Sequence, residues 1–214
     1  KSDTAETTTL SAKLMTQDKV VAIIGPATSG GMKAQIQLSA KNSVPIVSGS
    51  ATADDLTVSN GKLNEFIFRT CFTDSYQGTV MANYAASKLN AKTAVVLKDT
   101  SSDYAKGLAD NFDKQFTAKG GQVVATEAYT AKQTDFNAVL TKLKGQQFDI
   151  MYVPGYYEEL GLIIKQARAL GITAPITGGD GYESPKLAEL AGKRPSARVE
   201  HQRVRRGAVA RLRP

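Results

Sequence analysis

The sequence predicts an α/β protein whose parallel sheets are covered by helices. Two observations carry that expectation. Short runs of consecutive apolar residues alternate with segments whose apolar residues recur at helical spacing, with no internal repeat and no low-complexity linker between them. The apolar runs are continuous rather than alternating, which is the pattern of strands buried on both faces of a parallel sheet.

The elements follow in order. Residues 4–18 place Leu10, Leu14 and Met15 at helical spacing. Residues 20–24, with Val20, Val21, Ile23 and Ile24, form a strand that enters the glycine-rich stretch AIIGPATSGGMK (22–33). A helix is expected over 31–42, with Ile36, Leu38 and Ala40 as core candidates. VPIVSGSAT gives a strand at 44–48 and EFIFRT another at 65–70. Then come a helix at 76–90, the strand KTAVVLKD (92–99), a helix at 103–119, the strand QVVATEAY (122–129) and a helix at 135–144. The strand FDIMYVPG (148–155), a helix at 157–170, the strand APITGGD (174–180) and a short helix at 184–191 complete the series. These are more strands than one sheet of so short a chain holds comfortably. The stretch FRTCFTD, near residues 71–74, is a natural division. The expectation is therefore two Rossmann-like lobes: an incomplete first lobe over 1–72 and a second over 73–193.

Charge narrows the function. The chain carries a net +7, but residues 194–214 hold seven of the nine arginines, the only histidine (His201) and one acid (Glu200). That segment alone is +6, and the preceding 193 residues are +1. The segment has none of the lysine, isoleucine, phenylalanine or tyrosine found in the body. It reads as a non-native, arginine-rich end, disordered or loosely docked, with at most one helical turn around RRGAVARL. A nucleic-acid partner is not expected. Cys71 is the single cysteine, which excludes an internal disulfide and a cysteine-based metal cluster. No run of 18 apolar residues is present. The chain opens on a helix with no strand or signal segment before it, and is expected to begin inside a domain.

The glycine-rich stretch tests an enzyme reading. Gly25 and Gly30 have the spacing of a phosphate loop, but Gly31 and Met32 stand where its lysine and hydroxyl belong. Lys33 is one position late, about 100° around the helix. Nucleotide chemistry is not expected, yet a strand entering a helix through small residues still offers free N–H groups and the positive end of a helix dipole to an anion. In parallel sheets, ligands sit at the carboxyl ends of strands. The residues that follow the strands include Thr28 and Ser29, Ser50 and Thr52, Asp99 through Tyr104, Tyr156 and Tyr157, and Asp180 and Tyr182. They hold hydroxyls, rings and carboxylates, but no histidine, so a Ser-His-Asp triad has no base. Binding without catalysis, and without a cofactor or metal, is the expectation.

At this point the sequence resembles the branched-chain amino-acid type of periplasmic binding protein, the solute-binding component of an ABC importer. The resemblance covers about residues 1–193 and rests on VVAIIGPATSGG, VPIVSGSATADDLT, FIFRTCFTDSYQG, VVLKDTSSDYAKGLA, FDIMYVPGYYEELGLIIKQARALGI and ITGGDGY, in the family's order and spacing. It implies the type I periplasmic-binding fold, two α/β lobes with the ligand held between them. By position, Ser29 matches a serine that binds the ligand α-carboxylate; by itself it reads as a helix N-cap, and one residue can do both jobs. Ser50 matches a position that offers backbone groups to the amino-acid head. Thr52 matches a hydroxyl that meets both carboxylate and ammonium. As residues alone, both read as ordinary loop hydroxyls. Tyr104 and Tyr156 match rings that close over the ligand, or else are half-buried packing residues. Asp180 matches the acid that pairs with the α-ammonium, or else caps a helix.

The same resemblance implies a membrane ABC permease as partner, an extracytoplasmic location and a full-length monomer. A ligand-sensing receptor or regulator module of the same fold, or a binder of an amide or other small polar ligand, is the alternative. The sequence departs from the family in lacking the N-terminal strand, first helix and second strand, and in carrying the arginine-rich segment where the chain returns to lobe one.

Overall fold

The computed structural model describes residues 3–192 and the backbone of 199–204 and 207–212. The chain divides into two compact units, Lys1–Asp74 and Ser75–Pro214.

The first unit is built on three parallel strands in the order β1-β2-β5: β1 (Ile23–Ile24), β2 (Ile46–Ser48) and β5 (Ile67–Arg69). Helices α1 (Thr4–Thr16), α2 (Ser29–Ala34) and α3 (Ile36–Asn42) accompany them. Met15, Met32, Ile46, Leu56 and Ile67 form the core. β1 is shorter than the predicted 20–24. Ile23 donates its N–H to Pro45 O, but Pro45 has no N–H to return, so the ladder cannot extend toward Val21, which is 88% exposed. The single helix predicted over 31–42 is two helices. Gln35 sits between them with φ −101° and ψ −7°, its buried side chain accepting from Ser11 Oγ and donating to Gly31 O.

A hairpin that the sequence reading missed joins β3 (Val58–Ser59) to β4 (Lys62–Leu63). Asn60 and Gly61 both take positive φ, the Asn-Gly turn that matches strand twist. Double-sided burial, predicted for every sheet, does not hold here. Ile23, Ile46 and Ile67 align on the inner face, whereas the row Ile24, Val47 and Phe68 lies on the other, with Ile24 94% and Phe68 48% exposed.

The second unit has a six-stranded sheet in the order β10-β11-β9-β8-β6-β7. Its parallel part is β7 (Gln122–Tyr129), β6 (Thr93–Asp99), β8 (Ile150–Tyr152) and β9 (Ile176–Thr177). Here both faces are covered. Ala94, Val96, Ile150 and Tyr152 pack with Met81, Ala82, Leu108, Phe112 and Phe116 of α4 (Asp74–Lys88) and α5 (Asp103–Ala118). Val95, Leu97, Met151 and Val153 face Leu140, Leu143, Leu160 and Ile163 of α6 (Asn137–Lys144) and α7 (Tyr157–Ala169), with Leu187 of α8 (Lys186–Leu190). That two-sided demand is why the strands read as unbroken apolar runs.

At its far edge, β10 (Val199–Val204) and β11 (Gly207–Leu212) form an antiparallel hairpin, and β11 pairs with β9 through Arg211↔Thr177 and Leu212↔Ile176. The helical turn expected in this arginine-rich segment is therefore replaced by strand. A bare β9 edge offers unpaired N–H and C=O groups, and an added strand satisfies them.

Two predictions follow from this packing. Phe112 stacks on Phe116 and on Tyr152, with ring centroids 5.2 Å and 4.1 Å away. Phe112→Ala is expected to lose about 3–5 kcal/mol of stability, measured by denaturant unfolding; a loss under about 1 kcal/mol would mean the site collapses around the gap. Asp149 Oδ2 accepts from Lys92 N (2.8 Å), Thr93 N (2.9 Å) and Thr93 Oγ1 (3.0 Å), tying the start of β8 to that of β6. The Lys92 N–H and then the Thr93 N–H hold its carboxyl below its ordinary value. A depressed carboxylate stabilises the fold above its unfolded value, near pH 4, and that contribution disappears as pH falls through the lower folded value. Asp149→Ala should lower Tm by roughly 2 °C at pH 7, and the gap should close when melts are repeated at decreasing pH. A gap independent of pH would show that the charge plays no part.

Candidate ligand-binding site

The residues picked out after the strands fall into two sets, one in each unit.

In the first unit, the loop after β1 and the loop after β2 are stitched together. Ser48 Oγ donates to Pro26 O (2.7 Å) and Ser50 Oγ to Ala27 O (2.8 Å). Ser29 Oγ accepts from Thr52 N (3.2 Å) and Ala53 N (3.1 Å). Ser29 is therefore not the helix cap. Thr28 caps α2, its side chain accepting from Gly31 N at 3.3 Å. With two N–H groups already on its oxygen, the buried Ser29 hydroxyl keeps its own proton to donate.

Thr52 is fully buried, and its Oγ1 has no hydrogen-bond partner among the described residues. Its carbonyl is held by Asp74 N (2.9 Å) and by Arg69 Nη1 (3.2 Å), and the same guanidinium donates to Ala53 O at 2.6 Å. Ser50 is exposed; its hydroxyl donates to Ala27 O and its N–H to Ser48 Oγ at 3.4 Å, so both of its donors are used within the stitched loops. Lys33, the lysine displaced from a phosphate-loop position, pairs with Asp55 at 2.8 Å.

In the second unit, the strand order places β6 between β7 and β8, so the chain reverses its winding direction between β6 and β8. Such switch points open a crevice at the carboxyl ends of the strands. Tyr104 follows β6 in the first turn of α5, whose N-cap Ser102 accepts from Ala105 N at 3.2 Å. Tyr156 precedes α7 without a side-chain cap bond, and its ring stacks on that of Tyr104 at 5.2 Å and 27°. Asp180 opens a 3-10 turn, Asp180–Tyr182, just after β9.

Tyr104 OH donates to Asp180 Oδ1 at 2.6 Å and accepts from Gly181 N at 2.9 Å. Burial first, and then the Asp180 carboxylate, push the Tyr104 phenol well above its ordinary value, so it stays protonated and donates. The glycines around Asp180 are required by contact. A Cβ at Gly179 would meet Tyr104 OH at 2.6 Å, and one at Gly181 would meet Gly155 O at 2.4 Å.

The structure thus brings Tyr104, Tyr156 and Asp180 together, and brings Ser29 to Thr52, with Ser50 in the same stitched loop. Sequence reasoning missed Arg69, which braces the Thr52 loop, and Gln77, whose Oε1 accepts from Asp180 N at 3.0 Å. No local signal marks either one, because the partners lie 16 and 17 residues away for Arg69 and 103 away for Gln77. Among the described residues, no group of histidine, cysteine or carboxylate side chains is disposed to hold a metal.

Comparison with known proteins places this geometry. A Leu/Ile/Val-binding protein of Rhizobium johnstonii is 36% identical over 170 residues, 79% of this chain and 45% of the relative. The leucine-, isoleucine-, valine-, threonine- and alanine-binding protein of Pseudomonas aeruginosa is 31% identical over 85% of this chain and 48% of its own. Among solved structures, the branched-chain amino acid transporter substrate-binding protein LivJ of Streptococcus pneumoniae, in complex with isoleucine, is 46% identical with a TM-score of 0.81, covering 89% of this chain and 53% of that one. The leucine-binding protein LivK of Thermotoga maritima is 37% identical with a TM-score of 0.85, over 90% and 53%. The chain thus spans about half the length of the relatives it matches, and the fold is the type I periplasmic-binding α/β fold that the sequence predicts. The periplasmic binding protein family model matches residues 1–196, and the chain belongs to that family.

Proposed function

We propose that the protein is an extracytoplasmic solute-binding protein that captures a branched-chain amino acid and passes it to a membrane ABC permease. The observation that carries this reading is the Asp180 carboxylate, fixed by the Tyr104 hydroxyl at 2.6 Å beside the stacked Tyr104 and Tyr156 rings. A desolvated ammonium needs a carboxylate partner, and an aromatic wall favours a cation near its faces. In the first unit, the proton of Ser29 and the unpartnered Thr52 hydroxyl are groups that suit a carboxylate. The relatives at 36% and 46% identity, one named for leucine, isoleucine and valine and the other holding isoleucine, support an aliphatic side chain on the ligand. Binding leaves every bond of the ligand intact. The full-length protein acts as a monomer in this reading.

Calorimetric titration of the full-length protein with leucine, isoleucine and valine tests the reading; absence of binding to all three would overturn it. The head-group assignment has a sharper test. Asp180→Ala should weaken leucine binding by about 2–5 kcal/mol, because it leaves an ammonium desolvated without a partner. Tyr104→Phe removes two hydrogen bonds but no charge, and should lose less, about 1–2 kcal/mol. Equal losses would remove Asp180 from the ammonium role.

A further inference from the structure

We propose that Gln77 is a positioning residue of the amino-acid site: its side-chain carbonyl holds the main chain of Asp180 so that the carboxylate is presented to the ligand's ammonium. This rests on the reading of Asp180 given above.

Gln77 lies in the first turn of α4 and reaches the 3-10 turn after β9. Its Oε1 accepts from Asp180 N at 3.0 Å. Only the amide oxygen can accept from a main-chain N–H, so this bond also fixes the orientation of the amide. The next N–H along, that of Gly181, is taken by Tyr104 OH at 2.9 Å. Two successive N–H groups are therefore anchored by two side chains, one from α4 and one from α5. A Cβ at Gly179 would stand 3.0 Å from Gln77 Oε1 and 2.6 Å from Tyr104 OH, so the turn is pressed against both anchors.

The two helices are themselves locked. A Cβ at Gly78 would lie 2.6 Å from Asn111 Cβ and 2.9 Å from the Asn111 main-chain carbon. That close approach sets the helix carrying Gln77 against the helix carrying Tyr104. The direction of the Asp180 carboxylate follows from its main chain, and its main chain is set by this pair.

The chemistry of the group fits a positioning task. A neutral amide supplies an acceptor without placing a second negative charge beside Asp180, which would favour protonation of the carboxylate. Gln77 is also a poor choice for stability. Its Nε2 is buried with no hydrogen-bond partner among the described residues, and an unmet buried donor destabilises a fold. An apolar side chain of the same length would remove that cost, at the expense of leaving the Asp180 N–H unmet.

The test uses the full-length protein and two ligands, leucine and (S)-2-hydroxy-4-methylpentanoate, in which a hydroxyl replaces the ammonium. Gln77→Met keeps the length and removes the acceptor. It is expected to change Tm little, since one unmet donor is exchanged for another, to raise the Kd for leucine about tenfold and to change the Kd for the hydroxy acid by less than about twofold. Gln77→Asn withdraws the amide by one methylene and should give the same loss of discrimination if the methionine variant does not fold. Equal weakening of both ligands would assign Gln77 a merely structural role and overturn the proposal. So would unchanged leucine affinity in the Gln77 variants while Asp180→Ala binds weakly, and in that case the ammonium reading stands. If Asp180→Ala binds leucine as the wild type does, the ammonium reading falls and takes this proposal with it.

Discussion

The inner strands β6, β8 and β9 of the second unit's parallel sheet are dry on both faces, and that constraint decides where polar chemistry can go. Ala94 and Val96 point one way along β6, Val95 and Leu97 the other, and all four are at most 1% exposed. A polar side chain within such a strand has no water on either side, and burying it unpaired costs free energy. Hydroxyls and carboxylates are therefore displaced to the strand ends. Asp99, the last residue of β6, is turned into local hydrogen bonds with Ser101 N and Oγ. Tyr182 OH reaches the carbonyls of Val153 and Thr177, closing the ends of β8 and β9 together. The Tyr104–Asp180 pair leaves its carboxylate partly exposed.

This is also why much of the second unit was legible in the sequence. Continuous apolar runs at 92–99 and 148–155 announce two-sided burial, and whatever follows them must lie at the carboxyl edge. That rule gathers Tyr104, Tyr156 and Asp180 together with other strand-end residues such as Asp99, Tyr157 and Tyr182, and only the family resemblance singles the three out. The rule says nothing about Gln77, because its meaning depends on a bond to a residue 103 positions away. In the first unit the same pattern overshot. The run at 20–24 is apolar throughout, but Pro45 cuts its pairing short, and Ile24 and Phe68 face solvent. The Asn-Gly turn at 60–61 was readable from composition. The break at Gln35 was not, since it depends on a buried hydrogen bond from Ser11 of a different helix.

The two sets of site residues use different physics. In the first unit the candidate groups are neutral: a hydroxyl proton on Ser29 and the hydroxyl of Thr52, with the cationic Arg69 one step behind, spent on the carbonyls of Thr52 and Ala53. Dipoles that are already oriented stabilise a carboxylate without the large desolvation cost of bringing a buried guanidinium against it. Bracing by Arg69 keeps those dipoles aimed. In the second unit the group proposed for an ammonium is a full charge, as suits three N–H donors on a tetrahedral centre. One phenol then fixes that acceptor's direction.

Unmet polar atoms lie at or beyond strand ends in each unit. Thr52 Oγ1 lies in the loop after β2, Tyr129 OH on the last residue of β7, Thr177 Oγ1 on the last residue of β9, and Gln77 Nε2 beside the Asp180 turn. Each is buried with no hydrogen-bond partner among the described residues. Arg168 Nη2 is the exception in place: it sits near the end of α7, where Nη1 of the same guanidinium already donates to the carbonyls of Ile172 and Ala174. A sequence shaped by stability alone would fill the other four positions with apolar side chains of similar size, since each lone donor or acceptor costs about 1–3 kcal/mol. Within the second unit, Gln77, Tyr129 and Thr177 gather at the carboxyl edge of the sheet, as the proposed binding reading expects: groups held ready for a polar solute forgo partners within the chain, and the apolar cores beneath carry the stability that offsets them.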